Sequence, residues 1–344
     1  MSRMQRILVI VVGLVLLGLF SVSAPALMND YFVRILTVMC INAMLVVSMG
    51  LANGFTGVFS LGHVGFVGVG AYVSGVLSLS AAAKASYLPN LPAWIAGLNL
   101  GFLSSTIIAG LLCILLAFLV GAPLMRLSGH FVSVATLGFL IIVNVVLINA
   151  DDYTRGARTF TGVPLQTTLP WAMGWLLLAL VVLARIAYSP KGRGWRAVRE
   201  DTIAAQAIGI DVLPTRLSAF VIGAFFAGAG GSLYGHYLGS FSPAGFYFAY
   251  TFSLISMLVI GGMRSMTGAV VGVIVVSLLS ELLRNLERGF DLGIVAVPPL
   301  YGASQIVLGI ILILIMIFRP SGVMGDLELS FGRIAALLHK GRKE

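Results

Sequence analysis

Charged side chains are scarce in this 344-residue chain. Lys and Arg number 21 and Asp and Glu 12, so charged residues make up 10% of the sequence against 59% hydrophobic residues. Soluble domains carry about 25% charged residues. A soluble fold with this composition would leave much apolar surface in water, and lipid is the simplest alternative environment. The composition therefore excludes an ordinary soluble protein and predicts a membrane protein.

Cysteine, histidine and nucleotide-binding motifs are also sparse. The two cysteines, Cys40 and Cys113, lie inside apolar runs and predict neither a disulfide framework nor a metal site. The sequence contains no G-x-x-x-x-G-K-[ST] motif, so no nucleotide-binding P-loop and no cofactor are expected in this chain. Scattered histidines disfavour a membrane enzyme built on a catalytic cluster. They are His63, His130, His236 and His339.

Long apolar runs recur along the sequence, each close to the roughly 20 residues that a spanning helix requires. We predict an all-α fold, a polytopic membrane helix bundle of about ten transmembrane helices in a single domain over residues 1–344. Two of the runs, Val64–Ser80 and Thr267–Leu283, are short, which leaves tilted, broken or longer helices open. The predicted spans are Ile7–Ser23, Tyr31–Met49, Val64–Ser80, Phe102–Leu124, Phe131–Ile148, Leu169–Tyr188, Thr215–Leu238, Phe246–Gly262, Thr267–Leu283 and Tyr301–Phe318.

Lys and Arg are distributed unevenly between alternate loops. With the amino terminus in the cytoplasm, the inner segments hold 15 of the 21 basic residues and the outer segments 6, as the positive-inside rule requires. Both termini are therefore predicted to be cytoplasmic, with a polar cytoplasmic loop over residues 189–214 and a tail over 319–344. The first apolar run also resembles a cleavable signal peptide. Pro25 directly after the expected cut favours a retained helix.

The net charge of +9 does not indicate a nucleic-acid partner. The basic residues fall in short loops, without the dense stripe or aromatic interleaving of a nucleic-acid interface. In the tail, apolar residues spaced along one face predict an interfacial helix over about Leu327–His339 that lies against anionic lipid headgroups.

The polar segment between the sixth and seventh predicted spans carries the most information. Residues 195–208 favour a helix, Glu200 and Asp201 suit its first turns, and Gly209 supplies a stop. We predict a short cytoplasmic helix over Arg199–Gly209 that offers small residues to a partner. An amphipathic loop resting on headgroups is the alternative. One face of the predicted helix holds Ile203, Ala204, Ala207 and Ile208.

The same segment resembles a known family. Residues 203–209, Ile-Ala-Ala-Gln-Ala-Ile-Gly, are similar to the alanine-alanine-three residues-glycine core of the coupling helix in ABC importer permeases. Ile203 stands where that motif usually has Glu, although Glu200 lies nearly one turn earlier. Four blocks resemble the LivM-type subunits of the branched-chain amino acid permease family. They are residues 50–63, 199–211, 217–231 and 318–325.

Two departures from the family pattern leave the substrate open. Met263 and Arg264 stand where the family has small or apolar residues, and the loop over 152–162 is more basic than expected. Branched-chain amino acids are the family default, whereas urea, short amides and aromatic acids stay as alternatives. An ion-coupled secondary carrier is more distant, because acidic residues within the spans are nearly absent.

The resemblance implies a multi-pass permease of the bacterial inner (plasma) membrane that is not itself an enzyme. Its implied partners are a LivH-type permease, two ATP-binding subunits that hold ATP and Mg, and a periplasmic solute-binding protein. The resemblance also implies which residues couple the permease to the ATPase. These residues are Arg199, Glu200, Asp201, Ala204, Ala205, Ala207, Ile208 and Gly209.

Polar side chains inside the predicted spans are candidates for the substrate pathway. Such groups are costly in lipid and usually face a bundle interior or a cavity, although hydrogen bonding between helices is the alternative. The glycine-rich stretch 50–70 predicts a broken helix. The candidates are Asn42, Asn53, Ser60, His63, Thr136, Asn144, Tyr234 and His236.

Three further features have structural interpretations. Gly231–Gly235 and Gly268–Gly272 are G-x-x-x-G patterns that predict helix-packing faces. Glu281, the lone acidic residue within a predicted span, is expected to pair with Arg284 across one helical turn. Proton coupling through Glu281 is the sharper alternative.

Overall fold

The computed structural model describes residues 3–287, 290–291, 296–297, 302–319 and 321–325. This part of the chain is mostly helical, with a π-helical turn at Leu51–Phe55 and a 3-10 turn at Pro243–Phe246. The helices are α1 (Arg3–Leu27), α2 (Asp30–Gly50), α3 (His63–Ser78), α4 (Ala81–Tyr87), α5 (Ala93–Ala96), α6 (Phe102–Leu124), α7 (His130–Asn149), α8 (Asp151–Thr154), α9 (Leu169–Ala187), α10 (Pro190–Glu200), α11 (Thr202–Ala207), α12 (Val212–Leu238), α13 (Phe248–Gly261), α14 (Met266–Glu287) and α15 (Ala303–Phe318).

Seven helical segments among the described residues are long and apolar enough to cross a membrane. There are up to eight if α3 and α4, which meet at a bend of 117°, form one span. The apolar stretches Leu16–Leu27 and Ile306–Phe318 are shorter. A multi-pass helical membrane protein is thereby confirmed. The total of about ten spans and the cytoplasmic position of both termini stay predictions.

Each predicted span coincides with a helix, and α6 matches its prediction at both ends. The short predicted run Thr267–Leu283 is a longer helix, Met266–Glu287. The other short run, Val64–Ser80, ends earlier than predicted, at Ser78. Ser80 then caps α4, because its Oγ accepts a hydrogen bond from Ala83 N at 3.3 Å.

Residues Thr37–Ile255 form one compact unit whose centre is the packing of α3, α6 and α12. Glycines let these helices approach closely. A Cβ added at Gly231 would lie 2.0 Å from the carbonyl oxygen of Val67, and one at Gly70 would lie 2.1 Å from that of Gly228. The predicted packing face at Gly231–Gly235 is confirmed, because only glycine fits at Gly231.

A two-stranded sheet lies at the carboxyl end of α12. Strand β1 (Phe160–Thr161) pairs antiparallel with β2 (Ser240–Phe241), and Phe160 is opposite Phe241. The phenyl rings of this pair stack with centroids 5.5 Å apart, and both side chains are buried. Helix α12 has 27 residues, so this sheet and α11 lie at opposite ends of a helix about 40 Å long.

The described residues within Met1–Leu36 and Ser256–Glu344 form the second compact unit. Its second G-x-x-x-G pattern also packs closely, because a Cβ at Gly272 would lie 1.9 Å from the carbonyl oxygen of Met257. The predicted pair is present, with Arg284 Nη2 2.5 Å from Glu281 Oε1, and the Tyr31 hydroxyl bonds to both side chains. Strands β3 (Phe290–Asp291) and β4 (Ala296–Val297) pair antiparallel. The predicted tail helix lies outside the described residues.

Candidate coupling and translocation sites

The polar segment between α9 and α12 contains two helices. The predicted single helix over Arg199–Gly209 is wrong, because α10 ends at Glu200 and α11 begins at Thr202. Asp201 between them is extended, at φ −154° and ψ 117°, and its Oδ1 accepts hydrogen bonds from Ile203 N at 2.7 Å and Ala204 N at 3.0 Å. Asp competes with helical hydrogen bonding in this way, which favours a cap over a helix interior.

Helix α11 displays the face that the sequence predicts. Ile203 is 77% exposed and Ile208 74% exposed, and Ala204 and Ala207 between them are also exposed. Ala205, in contrast, is 2% exposed and points into this chain. Its assignment to the surface that meets the ATPase is therefore corrected to a role in packing α11.

Gly209 and Glu200 bound this displayed surface. Gly209 has φ +84°, a conformation that favours glycine, and its N–H donates to the carbonyl oxygen of Gln206 at 2.9 Å. This turn ends α11. The Glu200 side chain is 62% exposed, so it contributes a carboxylate beside the apolar face.

Arg199 connects the polar segment to the end of α2. Its side chain is only 17% exposed. Its Nη1 donates to the carbonyl oxygen of Gly54 in the π-helical turn at 3.0 Å, and its Nη2 lies 2.5 Å from Glu200 Oε1. The Arg196 guanidinium lies 5.8 Å from the centroid of the Phe55 ring. Arg199 is therefore held inside the chain, not displayed with α11.

The predicted helix break is present between α2 and α3. The π-helical turn, residues 51–55, is followed by non-helical residues 56–62 before α3 begins at His63. Asn53 joins both sides of the break, because its Nδ2 donates to Ser60 O at 3.2 Å and its Oδ1 accepts from Ser60 N at 3.0 Å. Non-α turns of this kind occur frequently at functional sites.

Two more pathway candidates lie at this break. Thr136 Oγ1 on α7 accepts from Leu61 N at 3.0 Å, and His63 Nε2 lies 2.9 Å from Ser48 Oγ. Both side chains are buried. Asn53 with Ser60, Thr136 with Leu61, and His63 with Ser48 thus make separate contacts at the same break, near α10. Within the described residues, Ser60 Oγ is buried without a hydrogen-bond partner.

The remaining four candidates lie away from the break. His236 bonds to Ser78 Oγ and to the carbonyl oxygen of Ser232, both at 2.9 Å. Asn144 Nδ2 donates to the carbonyl oxygen of Pro243 at 3.0 Å. Both contacts satisfy buried polar groups between segments.

Asn42 and Tyr234 belong to a third arrangement, and the sequence analysis missed its other member, Tyr250. The Tyr250 hydroxyl on α13 donates to Asn42 Oδ1 at 2.9 Å. The Tyr234 and Tyr250 rings stack with centroids 5.3 Å apart and an interplanar angle of 13°. Tyr250 lies in an apolar run with no motif around it, so only its amphipathic side chain was available as a signal.

The chain matches a known protein family over most of its length. The family model described as "Branched-chain amino acid transport system / permease component" matches residues 31–316. This range includes the helix break after α2, the Asn42–Tyr250 contact and the polar segment. The chain belongs to this permease family.

The chain's similarity to LivM-type members of the family extends over most of its length. It is 28% identical to the high-affinity branched-chain amino acid transport system permease protein LivM of Escherichia coli K12 over 90% of this chain and 74% of that protein. It is 25% identical to a probable LivM of Methanocaldococcus jannaschii over 64% and 68%. The E. coli LivH protein is 28% identical over 46% and 48%. No solved structure matches.

Proposed function

We propose that this LivM-type chain is the membrane-spanning subunit of an ATP-binding-cassette importer for branched-chain amino acids in the bacterial inner membrane. Its partners are a LivH-type permease, two ATP-binding subunits that hold ATP and Mg, and a periplasmic solute-binding protein. The names of its relatives support the substrate class. The permease itself hydrolyses nothing, and its work is to change access to the pathway.

The observation that carries this proposal is the surface of α11. Two large apolar side chains, Ile203 and Ile208, are about three-quarters exposed on a polar segment. The cap at Asp201 and the buried Ala205 hold the helix in place. A rigid apolar surface flanking small alanines suits insertion into a groove on a partner protein, because small side chains permit close approach. In this proposal the groove belongs to an ATP-binding subunit.

Purification of the complex tests the docking surface. The chain is expressed with its partner permease and ATP-binding subunits, and the amount of ATPase retained is measured. The double variant Ile203→Ser, Ile208→Ser should lose the ATPase while inserting normally. Leu165→Ser is the matched control, because Leu165 is 73% exposed but follows β1 at the opposite end of α12. Full retention of the ATPase by the double variant would contradict the proposal.

Transport by the reconstituted complex tests the function itself. Proteoliposomes that contain the whole complex, supplied with the binding protein and ATP, should accumulate radiolabelled leucine. Uptake should depend on ATP and should stop when ATP is replaced by a non-hydrolysable analogue. Uptake driven by a proton gradient without ATP would favour the secondary-carrier alternative, and uptake of urea or an amide without leucine would change the substrate.

A further inference from the structure

Asn42, Tyr234 and Tyr250, which we call the neutral site, bring together polar groups from α2, α12 and α13. The Tyr250 hydroxyl holds Asn42 Oδ1 at 2.9 Å, and Tyr250 stacks on Tyr234. Asn42 is buried and both tyrosines are half-buried. The hydrogen bond from Tyr250 therefore fixes the orientation of the Asn42 carboxamide.

Hydrogen-bonding capacity is left over in the neutral site. The Tyr250 hydroxyl donates to Asn42 Oδ1, so the other end of the carboxamide, Nδ2, points away from Tyr250. Among the hydrogen bonds of the described residues, none is donated by Asn42 Nδ2 or by the Tyr234 hydroxyl. Neither donor is among the fully buried, unpartnered side-chain atoms of the described residues, so both can reach a neighbouring molecule. Asn53 and His236 differ, because both polar atoms of each side chain are hydrogen-bonded to protein groups.

The surroundings of the neutral site carry no formal charge along the chain. No Asp, Glu, Lys or Arg occurs between Arg34 and Lys84 or between Arg216 and Arg264. These two stretches contain all three members of the site. A carboxylate anion bound there would find no compensating cation on these two stretches, and an unpaired charge outside water is strongly unfavourable. A zwitterion or an uncharged amide brings no net charge and needs only hydrogen bonds.

Apolar contact is available beside these donors. The Phe246 ring lies 6.1 Å from the Tyr234 ring and contacts Tyr72 on its other side, at 6.4 Å between centroids. Aromatic rings provide large apolar surfaces with few degrees of freedom. Neutral donors next to aromatic faces match a small solute with one polar head and a short aliphatic side chain.

We propose that the neutral site binds the solute on its way through the permease and selects net-neutral solutes. Asn42 Nδ2 and the Tyr234 hydroxyl donate to the carboxylate of a zwitterionic aliphatic amino acid, while Tyr250 holds Asn42 in place. Aromatic acids, which carry net negative charge, are excluded. Binding through neutral donors is weak, as transport requires, because the solute must also leave. This inference rests on the proposed function and specifies its substrate class.

Transport per ATP is the first test. In the reconstituted complex, Tyr250→Phe and Tyr234→Phe should each lower the amount of leucine moved per ATP by about tenfold, the effect of one or two lost hydrogen bonds. Stimulation of ATP hydrolysis by the binding protein should persist, because neither variant touches α10 or α11. A misassembled complex would lose both activities, so the ratio separates a lost contact from lost structure.

Thermal unfolding of the complex without binding protein is the second test. A ligand that binds only the folded protein raises the unfolding temperature. Leucine at millimolar concentration should raise it for the unmodified complex and not for Tyr250→Phe. 4-Methylpentanoate, which keeps leucine's carbon skeleton but lacks the ammonium group, should cause no shift in either. Equal shifts with both compounds would overturn the selection of net-neutral solutes.

Tyr153→Phe is the matched control for both tests. It removes the hydroxyl of a tyrosine that is 44% exposed on α8, outside the three helices of the neutral site, so leucine transport and the thermal shift should be unchanged. Losses as large as in Tyr250→Phe would mean that the loss of any tyrosine hydroxyl explains the effect, and the site would be rejected. Unmodified complex that moves no leucine would instead contradict the proposed function, whereas active complex with unaffected variants would contradict the neutral site alone.

Discussion

Arg199 Nη1 and the carbonyl oxygen of Gly54 are 3.0 Å apart, so one hydrogen bond joins the polar segment to the π-helical turn at the end of α2. The two residues are far apart in sequence, and the contact is tight, because a Cβ at Gly57 would lie 2.9 Å from Arg199 Cγ. Asn53 in the same turn is bonded to Ser60 beyond the break. This contact therefore connects α10 directly to the helix break that contains Asn53 and Ser60.

Removing this link should uncouple ATP hydrolysis from transport. In the reconstituted complex, Arg199→Ala should lower leucine uptake about tenfold, because a hydrogen bond from a charged group contributes about 1.5–3 kcal/mol. The ATPase should remain bound and active, since the α11 surface is intact. Arg193→Ala, at an exposed position of α10, is the control and should transport normally. Loss of the ATPase from the Arg199→Ala complex would mean that Arg199 acts in docking.

The alanines of α11 should divide into two classes. Ala204→Trp should abolish uptake and release the ATPase while the permease keeps its thermal stability, because Ala204 is exposed. Ala205→Trp should instead lower the free energy of unfolding by about 1–3 kcal/mol, since Ala205 is buried and overpacking is costly. Thermal unfolding of the permease and retention of the ATPase are measured on both variants. A stable Ala205→Trp permease that lost only the ATPase would contradict the inward position of Ala205.

Much of the helical layout could be predicted from the sequence, because lipid requires long apolar segments with internally satisfied backbones. Polar segments are harder, since their helices depend on local competition for hydrogen bonds. Residues 195–208 have the propensity for one helix, yet the Asp201 carboxylate captures two backbone N–H groups and divides it. Propensity alone does not reveal which acid will act as a cap.

Side-chain partners were the least predictable part of the candidate site. Polar residues in apolar runs identified Asn42 and His236 equally, because both are costly to bury. Their different situations depend on contacts between distant segments. His236 meets Ser78, whereas Asn42 meets Tyr250, whose hydroxyl has no sequence signature. Sequence patterns fix which face of a helix is apolar, but not which distant side chain lies against it.

Glycine at the contact between α12 and α3 should be indispensable. Gly231→Ala places a methyl group where the Val67 carbonyl oxygen is only 2.0 Å away, so the helices must separate, and stability should fall by about 1–3 kcal/mol. Gly174→Ala is the control, because a Cβ there meets nothing within 4 Å. It should be neutral or stabilising by up to about 1 kcal/mol, from helix propensity. Thermal unfolding in detergent measures both, and equal stability of the two variants would contradict the close packing.

The orientation of the chain can be measured with single cysteines on the two sides of α9. Leu165 before it and Ile203 after it are 73% and 77% exposed, and α9 is the one candidate span between them in this described part of the chain. The native Cys40 and Cys113 are buried, so their background labelling should be low.

With cytoplasmic termini, as the excess of Lys and Arg in alternate loops predicts, a membrane-impermeant maleimide should label Leu165→Cys in intact spheroplasts. Ile203→Cys should react only after the membrane is permeabilised. Reporter fusions at Asp152 and Arg199 provide a second measurement and should report the outer and inner side. Labelling of both cysteines from outside would mean that α9 does not cross the membrane. The reverse pattern would place α11 outside the cell, where no ATP-binding subunit is present, and would contradict the docking proposal together with the predicted orientation.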